Sequence, residues 1–212
     1  MRIGIIGTGK LGSVLAELWV RAGHEVVLSS RHPEKLKDLA IRLGDRAVTG
    51  SAHQAAISAQ VALLAIPLKA VKELSEAVRS ALRTKVILNA CNPIEECDGL
   101  TAVEVMRSGL GTGMWMTPFF PGARMVRTFN SVPADLLRSE AHRRDNPIGI
   151  PIASDDQGAL EVASLLTYDA GFEPVVVGGL LQAKLFEPGT PFWNKAIPAR
   201  RLAEFLTVRR AA

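Results

Sequence analysis

Three glycines near the start of the chain, Gly7, Gly9 and Gly12, have the spacing GxGxxG that can hold the diphosphate of a dinucleotide. They follow a β-branched apolar run and precede a helical pattern of apolar residues, which is the context that this motif requires. Gly7 permits a tight turn, Gly9 lets a diphosphate approach the backbone, and Gly12 lets the helix pack close to the sheet. The first turn of that helix would present unpaired N–H groups and a positive dipole to the phosphates.

The residues at the end of the second predicted strand, Ser29, Ser30 and Arg31, indicate which dinucleotide binds. An NAD site usually has Asp or Glu about 20 residues after the glycine turn, where the carboxylate binds the ribose 2′-hydroxyl. No carboxylate is found at this position, because Glu25 lies at the opposite end of the strand. The Arg31 guanidinium, the serine hydroxyls and Lys35 would attract a 2′-phosphate instead. The sequence therefore predicts NADP as the cofactor.

Two further strand ends are expected beside the cofactor, because ligands of such folds bind outside the carboxyl ends of the strands. Ile66 and Pro67 end one strand and can offer an apolar edge to the adenine or the ribose. Asn92 follows the next strand and can bond the nicotinamide ribose or carboxamide. Cys91 is predicted to be a small buried thiol, since no histidine is paired with it. The contacts expected from this second strand end are Asn89, Cys91, Asn92 and Pro93.

Strands and helices alternate along the chain, which predicts an α/β fold: a Rossmann-type, doubly wound, mostly parallel sheet covered by helices on both faces. Strands are predicted over 2–6, 24–30, 47–49, 60–66, 85–90, 125–129, 148–153 and 174–177. The first helix is predicted to end at Gly23, and further helices are predicted over 33–43, 68–82, 156–170 and 198–210. The segment 95–124 is rich in Gly and Pro and is predicted to be irregular.

The composition limits the classes to which the protein can belong. Its 212 residues are 48% hydrophobic and 22% charged, which suits one substantial core and excludes a disordered chain. A net charge of +4 without a concentrated basic stripe does not predict a nucleic-acid partner. The first apolar run stops at Gly7, so neither a signal peptide nor a membrane span is expected. Two cysteines without CxxC spacing favour a reducing compartment, and we expect a cytoplasmic protein.

Several longer stretches resemble the family of coenzyme F420-dependent NADP oxidoreductases. They are GTGKLG, GHEVVLSSRHPEKL, LLAIPLKAV, ILNACNP, RTFNSV and GFEPVVVGGLLQAKLFEPGTPFW, and they cover most of the chain. The resemblance implies one NADP-binding Rossmann domain over 1–212, in which 178–212 form a C-terminal extension that shapes the acceptor pocket. It also implies a homodimer and direct hydride transfer between NADPH and a flat, small-molecule redox acceptor.

The same resemblance implies which residues contact the cofactor. In this chain they are Thr8, Lys10, Leu11, Ser30, Arg31, Lys35, Ile66, Pro67 and the segment 89–93. The chain departs from the family pattern at Asn89-Ala90-Cys91 and over 109–121, which both lie near the expected acceptor side. The acceptor therefore stays open between the deazaflavin F420, a flavin and a quinone.

No catalytic side chain and no set of metal ligands is predicted. Hydride transfer between two planar rings depends on positioning and on exclusion of water more than on a nucleophile. The histidines have no metal-binding spacing. Several aromatic residues could stack on a flat ring, although packing is the favoured interpretation; they are Trp115, Phe119, Phe120, Phe186, Phe192 and Trp193.

Two alternative functions remain open from the sequence. One is an imine or carbonyl reductase related to the pyrroline-5-carboxylate reductases, which normally add a long helical dimerisation domain. It ranks second, because only about 60 residues follow Ile150 and part of them still reads as sheet. The other is a non-enzymatic NADPH sensor, in which the nicotinamide face would be blocked.

Overall fold

The strands of the described part of the chain form a single sheet. The structure is a computed structural model that describes the backbone of residues 1–211 and the side chains of residues 1–206. The strands within this part of the chain are β1 (Arg2–Ile6), β2 (Glu25–Ser29), β3 (Ala47–Gly50), β4 (Val61–Leu64), β5 (Val86–Asn89), β6 (Arg124–Arg127), β7 (Gly149–Ala153) and β8 (Glu173–Gly178). Their order in the sheet is β3-β2-β1-β4-β5-β6-β7-β8.

Helices connect most of these strands. The α-helices of the described chain are α1 (Lys10–Arg21), α2 (Lys37–Leu43), α3 (Ala52–Ser58), α4 (Leu68–Lys72), α5 (Glu76–Ala81), α6 (Glu95–Asp98), α7 (Leu100–Ser108), α8 (Gly111–Met116), α9 (Ala134–Glu140), α10 (Gln157–Asp169) and α11 (Ala199–Ala211). Short 3₁₀ segments cover Pro33–Leu36, Gly44–Arg46, Thr117–Phe119 and Leu180–Phe186. None of the helices in the described part of the chain is both long and apolar enough to cross a membrane.

The sheet is parallel from β3 through β6, as predicted. β1 pairs in parallel with β2 and β4, and the same direction continues to β3 on one side and to β5 and β6 on the other. β7 runs antiparallel to β6, joined at Arg127 and Ala153, and β8 is parallel to β7. The predicted Rossmann-type, doubly wound and mostly parallel sheet is confirmed. The carboxyl ends of β1 to β6 consequently lie along one edge.

Each face of the sheet carries its own apolar cluster. On one face, Ile3 and Ile5 of β1 pack with the buried sides of α1, α9 and α10. On the other face, Ile6 of the same strand packs with α3, α4, α5 and α8. β1 is buried on both faces, and this explains why its sequence reads as a continuous apolar run. A third cluster joins the end of β7 to Phe186, Phe192 and α11.

Helix α1 is anchored at its far end by a tryptophan. The indole Nε1 of Trp19 donates to the carbonyl oxygen of Leu166 in α10 at 2.8 Å, and the ring meets Phe129 edge-on at 5.8 Å. The chain then turns at Gly23, whose φ is +93°. Such a φ favours glycine. The prediction that the first helix ends at Gly23 agrees with the structure, in which α1 ends at Arg21.

The segment 95–124 is helical, so the prediction of an irregular stretch was wrong. It contains α6, α7 and α8 and the 3₁₀ turn Thr117–Phe119. Two of its glycines end or separate helices: Gly99 separates α6 from α7, and Gly109 ends α7 in the left-handed conformation at φ +67°. Glycine at a helix end terminates the helix without weakening its interior.

Two other helix predictions need correction. The predicted helix 68–82 is broken into α4 and α5, because Ser75 caps the second helix and its hydroxyl accepts from the N–H of Val78. Helix α3 was not predicted. It begins with a capping box, in which Ser51 and Gln54 each accept a hydrogen bond from the other's backbone N–H. The spacing Ser-x-x-Gln could have indicated this start.

Candidate functional site

The glycine turn between β1 and α1 is built as its three glycines suggest. Gly7 has φ +102°, and the N–H groups of Gly7 and Thr8 donate to the carbonyl oxygen of Ser29 at 3.1 and 3.0 Å. The turn is thereby pinned to the end of β2. A Cβ on Gly12 would collide with the carbonyl oxygen of Gly7, so this residue must be glycine for α1 to pack against the turn.

Gly9 differs from the other two glycines, because nothing in the chain requires it. Its φ is −83°, which any residue adopts, and a Cβ there would have no atom within 4 Å. The missing side chain instead leaves open space directly in front of α1. The first turn of α1 contains no acidic residue, and no side chain caps it. The unpaired N–H groups of this turn are therefore available to an anion.

A cleft of about 360 Å³ opens beside this turn, between the ends of β1, β2 and β4. Its volume falls in the range of small-molecule sites. The cleft brings together eight predicted contacts from three strand ends, and its lining is completed by neighbouring residues of α3 and α4. The predicted contacts that line it are Gly7, Thr8, Gly9, Ser29, Ser30, Arg31, Ile66 and Pro67.

A second depression adjoins the cleft and shares Thr8 and Ser30 with it. Lys35 and His32 line this depression, whereas Arg31 lines the cleft. The two side chains predicted to attract a 2′-phosphate, Arg31 and Lys35, thus lie on opposite sides of Ser30. His32 also approaches Glu34, at 3.4 Å between Nδ1 and Oε1, and both side chains are exposed. Lys10 is exposed at the start of α1, whereas Leu11 is partly buried against the core.

The hydroxyl of Ser29 does not face the cleft, contrary to the prediction that it attracts a phosphate. Ser29 is 1% exposed, and its Oγ donates to the carbonyl oxygen of Ile5 at 2.8 Å. Of the two serines, only Ser30 is partly exposed, and its Oγ accepts from the N–H of His32 at 3.1 Å. Of the residues expected to attract a 2′-phosphate, Ser30, Arg31 and Lys35 therefore remain as candidates.

The loops after β4 and β5 are tied together by Asp98, which was not predicted. This buried carboxylate accepts from the N–H of Lys69 at 2.9 Å and from the N–H of Ile94 at 3.1 Å. It thus serves the first turn of α4, next to Pro67, and the loop that follows Pro93. The acidic run Glu95-Glu96-Cys97-Asp98 was the available signal, but the partners of its last residue are distant in sequence.

The side chains of the segment 89–93 are turned inward. Asn89 is fully buried, and its Oδ1 accepts from the N–H of Cys91 at 3.0 Å. The amide of Asn92 is also engaged: its Nδ2 donates to the carbonyl oxygen of Asn130 at 2.8 Å. The Asn92 amide is therefore hydrogen-bonded within the protein and is not free to bind a ligand. We expect a cofactor to contact this loop mainly through its backbone.

Arg127, a fully buried cation at the end of β6, was not predicted from the sequence. Its Nη1 donates to the carbonyl oxygens of Asn89, at 3.1 Å, and of Cys91, and its Nη2 donates to Oδ1 of Asn92 at 2.7 Å. Its Nε donates to Oε1 of Glu187 at 3.2 Å. Burial lowers the pKa of the Arg127 guanidinium, and the charge of Glu187 opposes that shift.

Glu187 joins the C-terminal segment to this network. Its carboxylate also accepts from the N–H of Thr112, at 2.8 and 3.1 Å, near the start of α8. The neighbouring Lys184 donates from Nζ to the carbonyl oxygen of Gly109 at 3.1 Å. Glu187 is thus a buried link between the C-terminal segment, α8 and the end of β6.

Most of the aromatic residues pack within the protein, as the favoured interpretation expected. Phe120, Phe186 and Phe192 are buried, and Trp115 contacts Phe119 with their ring centroids 4.9 Å apart. Within the described residues, no group of three or more His, Cys, Asp or Glu side chains is placed to hold a metal ion.

A family model and a curated relative both match the chain, and their descriptions agree. The family model described as NADP oxidoreductase coenzyme F420-dependent matches residues 2–93. The F420-dependent NADP reductase of Methanothermobacter thermautotrophicus is 33% identical over 203 residues, covering 90% of this chain and 87% of that protein. Sequence identity at this level over nearly the whole of both chains is sufficient to assign the two proteins to one family.

Two solved structures resemble the protein in fold alone. A hypothetical protein from Sinorhizobium meliloti has a TM-score of 0.78 at 23% identity, covering 93% of this chain and 95% of that chain. An imine reductase from Myxococcus stipitatus in complex with NADP⁺ has a TM-score of 0.62 at 14% identity, covering 100% of this chain and 61% of that chain.

The two free cysteines should differ sharply in reactivity. Cys97 is exposed, whereas Cys91 is buried, and its burial raises the pKa of the thiol to about 11. At pH 8, three units below that value, about one Cys91 thiol in a thousand is the reactive thiolate. We expect a thiol reagent such as DTNB to label one cysteine per chain rapidly, and a second only after denaturation. A Cys97→Ser variant that still reacts rapidly when folded would contradict this assignment.

Proposed function

We propose a function for this protein from one premise, namely that the chain belongs to the family of coenzyme F420-dependent NADP oxidoreductases. It is therefore an oxidoreductase. We propose that it transfers a hydride between NADP(H) and a flat deazaflavin acceptor, as the name of its Methanothermobacter relative indicates for that protein. The observation that carries this proposal is the cleft at the glycine turn, where Gly9 leaves space that no part of the chain uses.

The diphosphate would rest on the first turn of α1. The turn offers the N–H groups that a helix leaves unpaired, and Gly9 allows the phosphates to approach them closely. Thr8, Lys10 and Leu11 are the other proposed contacts of this turn. Thr8 is well placed by its own bond, because its Oγ1 donates to the carbonyl oxygen of Ser29 at 3.1 Å and its position is thereby fixed.

The 2′-phosphate would lie against Arg31, Ser30 and Lys35. The exposed Arg31 lines the cleft, and Lys35 lines the depression on the other side of Ser30. No carboxylate occupies the end of β2, where it would repel the phosphate. An arginine fork matches phosphate geometry, and this favours NADP over NAD.

The remainder of the cofactor would extend along the same edge of the sheet. Ile66 and Pro67 would offer an apolar edge to the adenine or the ribose. The nicotinamide end would lie beside the loop Asn89–Pro93, whose backbone would form one wall. The region after residue 178 would form part of the acceptor pocket.

In the proposed reaction the cofactor supplies the reacting group, and the chain binds and positions it. When bound, NADPH would supply a hydride, that is two electrons and one proton, to the acceptor ring and become NADP⁺, and the ring would take its second hydrogen as a proton from solvent. The chain binds the phosphates, orients the loops around the nicotinamide end and excludes water from between the two rings. No side chain is proposed to act as nucleophile, acid or base.

The two alternatives are not favoured. The imine reductase likeness is one of fold alone, whereas a relative that aligns over nearly all of both chains is an F420-dependent NADP reductase. A non-enzymatic sensor would be an exception within a family of oxidoreductases.

We further propose that the protein acts in the cytoplasm as a homodimer. Both cysteines are unpaired and one is exposed, which suits a reducing compartment. Strand β8 forms an edge of the sheet, and its Val176 is 53% exposed. An edge strand offers main-chain groups with which a strand of a second copy can pair. Sedimentation equilibrium measures the state directly, and a monomer at micromolar concentration would contradict the dimer.

The role of Arg31 can be tested by charge reversal. The Arg31→Glu variant should weaken NADPH binding by about 100-fold, because a carboxylate would repel the 2′-phosphate, and should change NADH binding by less than about threefold. Isothermal titration calorimetry with both nucleotides measures the difference. Arg21→Glu, an exposed reversal at the other end of α1, is the matched control. Equal losses for the two nucleotides would remove Arg31 from the site.

The acceptor can be tested with a panel of flat redox compounds. With NADPH in excess, we expect a deazaflavin to be reduced at least about tenfold more efficiently, by kcat/KM, than FMN or a soluble quinone. Loss of the nicotinamide absorbance band reports turnover. Turnover with the flavin or the quinone alone would reassign the acceptor, and no turnover with any compound would contradict the proposed reaction.

A further inference from the structure

Arg127 is a charged residue buried inside the sheet, where removing a charge from water is costly. It is the last residue of β6 and stands in register with Asn89, the last residue of β5. Neighbouring strand positions such as Val126 and Leu88 are apolar and equally buried. A guanidinium in such a place loses its water, and a buried pair of charges is often no more stabilising than apolar residues of similar size. Its presence therefore calls for a role other than packing.

The first set of partners belongs to one loop. Arg127 donates to the carbonyl oxygen and Oδ1 of Asn89, at 3.1 and 3.3 Å, to the carbonyl oxygen of Cys91, and to Oδ1 of Asn92 at 2.7 Å. One side chain thus bonds three of the five residues Asn89–Pro93, the proposed nicotinamide loop. A change in the direction of the guanidinium would move the loop as a whole.

The second set of partners belongs to the C-terminal segment. The Nε of Arg127 donates to Glu187 at 3.2 Å, and Asn130 donates from Nδ2 to the carbonyl oxygen of Phe186 at 3.1 Å. Asn92 completes the link, since its Nδ2 donates to the carbonyl oxygen of Asn130 at 2.8 Å. The same guanidinium therefore joins the nicotinamide loop to the segment proposed to shape the acceptor pocket.

We propose that Arg127 is a positioning residue that sets the distance between the nicotinamide loop and the wall of the acceptor pocket. This inference rests on the proposed function. Glu187 neutralises the charge of Arg127, so the residue acts through the geometry of its hydrogen bonds and not through a field on the phosphates. Hydride transfer is sensitive to such geometry, because a misplacement of about 1 Å can cost about 100-fold in rate.

The Arg127→Lys variant separates charge from geometry. Lysine keeps the positive charge but lacks the planar fork that reaches the loop and Glu187 together. We expect kcat to fall by about 10- to 100-fold, whereas the Kd of NADPH, measured by calorimetry, should change by less than about threefold. That Kd depends mainly on phosphate contacts at β1 and β2. The primary isotope effect with NADPH deuterated at the transferred position should rise, because hydride transfer becomes slower than the other steps.

Arg124→Lys is the matched control, since Arg124 begins the same strand and is exposed at its other end. It should leave kcat, the isotope effect and the Kd unchanged. A merely structural role of Arg127 would lower the melting temperature and the active fraction of the Lys variant. Its kcat per active site and its isotope effect would then equal those of the parent, and this result would overturn the inference while leaving the proposed function intact.

If Arg127→Lys fails to fold, Asn92→Ala decides the question. This change removes the bonds of the Asn92 side chain to Arg127 and to Asn130, and leaves the Arg127–Glu187 pair in place. A lower kcat with a raised isotope effect and an unchanged NADPH Kd supports the inference, and an unchanged kcat overturns it. A parent protein that binds no NADPH would remove the proposed function itself, and this outcome is distinct from both.

Discussion

The parallel pairing of β1 to β6 makes their carboxyl ends meet at one edge of the sheet, and every candidate site residue depends on that arrangement. Each strand end delivers a loop to this edge, while the connecting helices cover the two faces. Because α1 follows β1 directly, its N-terminus opens at the same edge, with its unpaired N–H groups toward the cleft. A phosphate site and the loops that flank it are therefore consequences of the direction of the strands.

The loops at this edge lack the regular hydrogen bonds of a sheet, so their backbone groups need other partners. Two buried charged side chains supply them. Asp98 accepts from an N–H group in the first turn of α4 and from one in the loop after β5, and Arg127 donates to carbonyl oxygens at the end of β5 and in the loop that follows it. Both are internal links between segments. The two residues explain how irregular backbone stays ordered next to an open cleft.

The sequence predicted those strands and helices whose signal lies within a few consecutive residues. The apolar runs that became β1, β4 and β5 are buried on both faces, and such strands are readable from the sequence. The glycines of the segment 95–124 misled the prediction, because a glycine at a helix end and a glycine in a loop look alike in sequence. Helix α3 was missed since it is short and buries only Ala55 and Ala56, so it has almost no apolar periodicity.

The sequence by itself determined the residues of the proposed phosphate end of the site, because Gly7, Gly9, Gly12 and Arg31 lie within 25 residues and are brought together by local turns. It could not determine which polar side chains turn inward. Ser29 and Asn92 have the composition of ligand-binding residues, yet both bond within the protein. Arg127 and Glu187 are 60 residues apart and meet only because the C-terminal segment returns to the end of β6. The partners of a buried polar group come from elements distant in the chain, and only the packed tertiary structure brings those elements together.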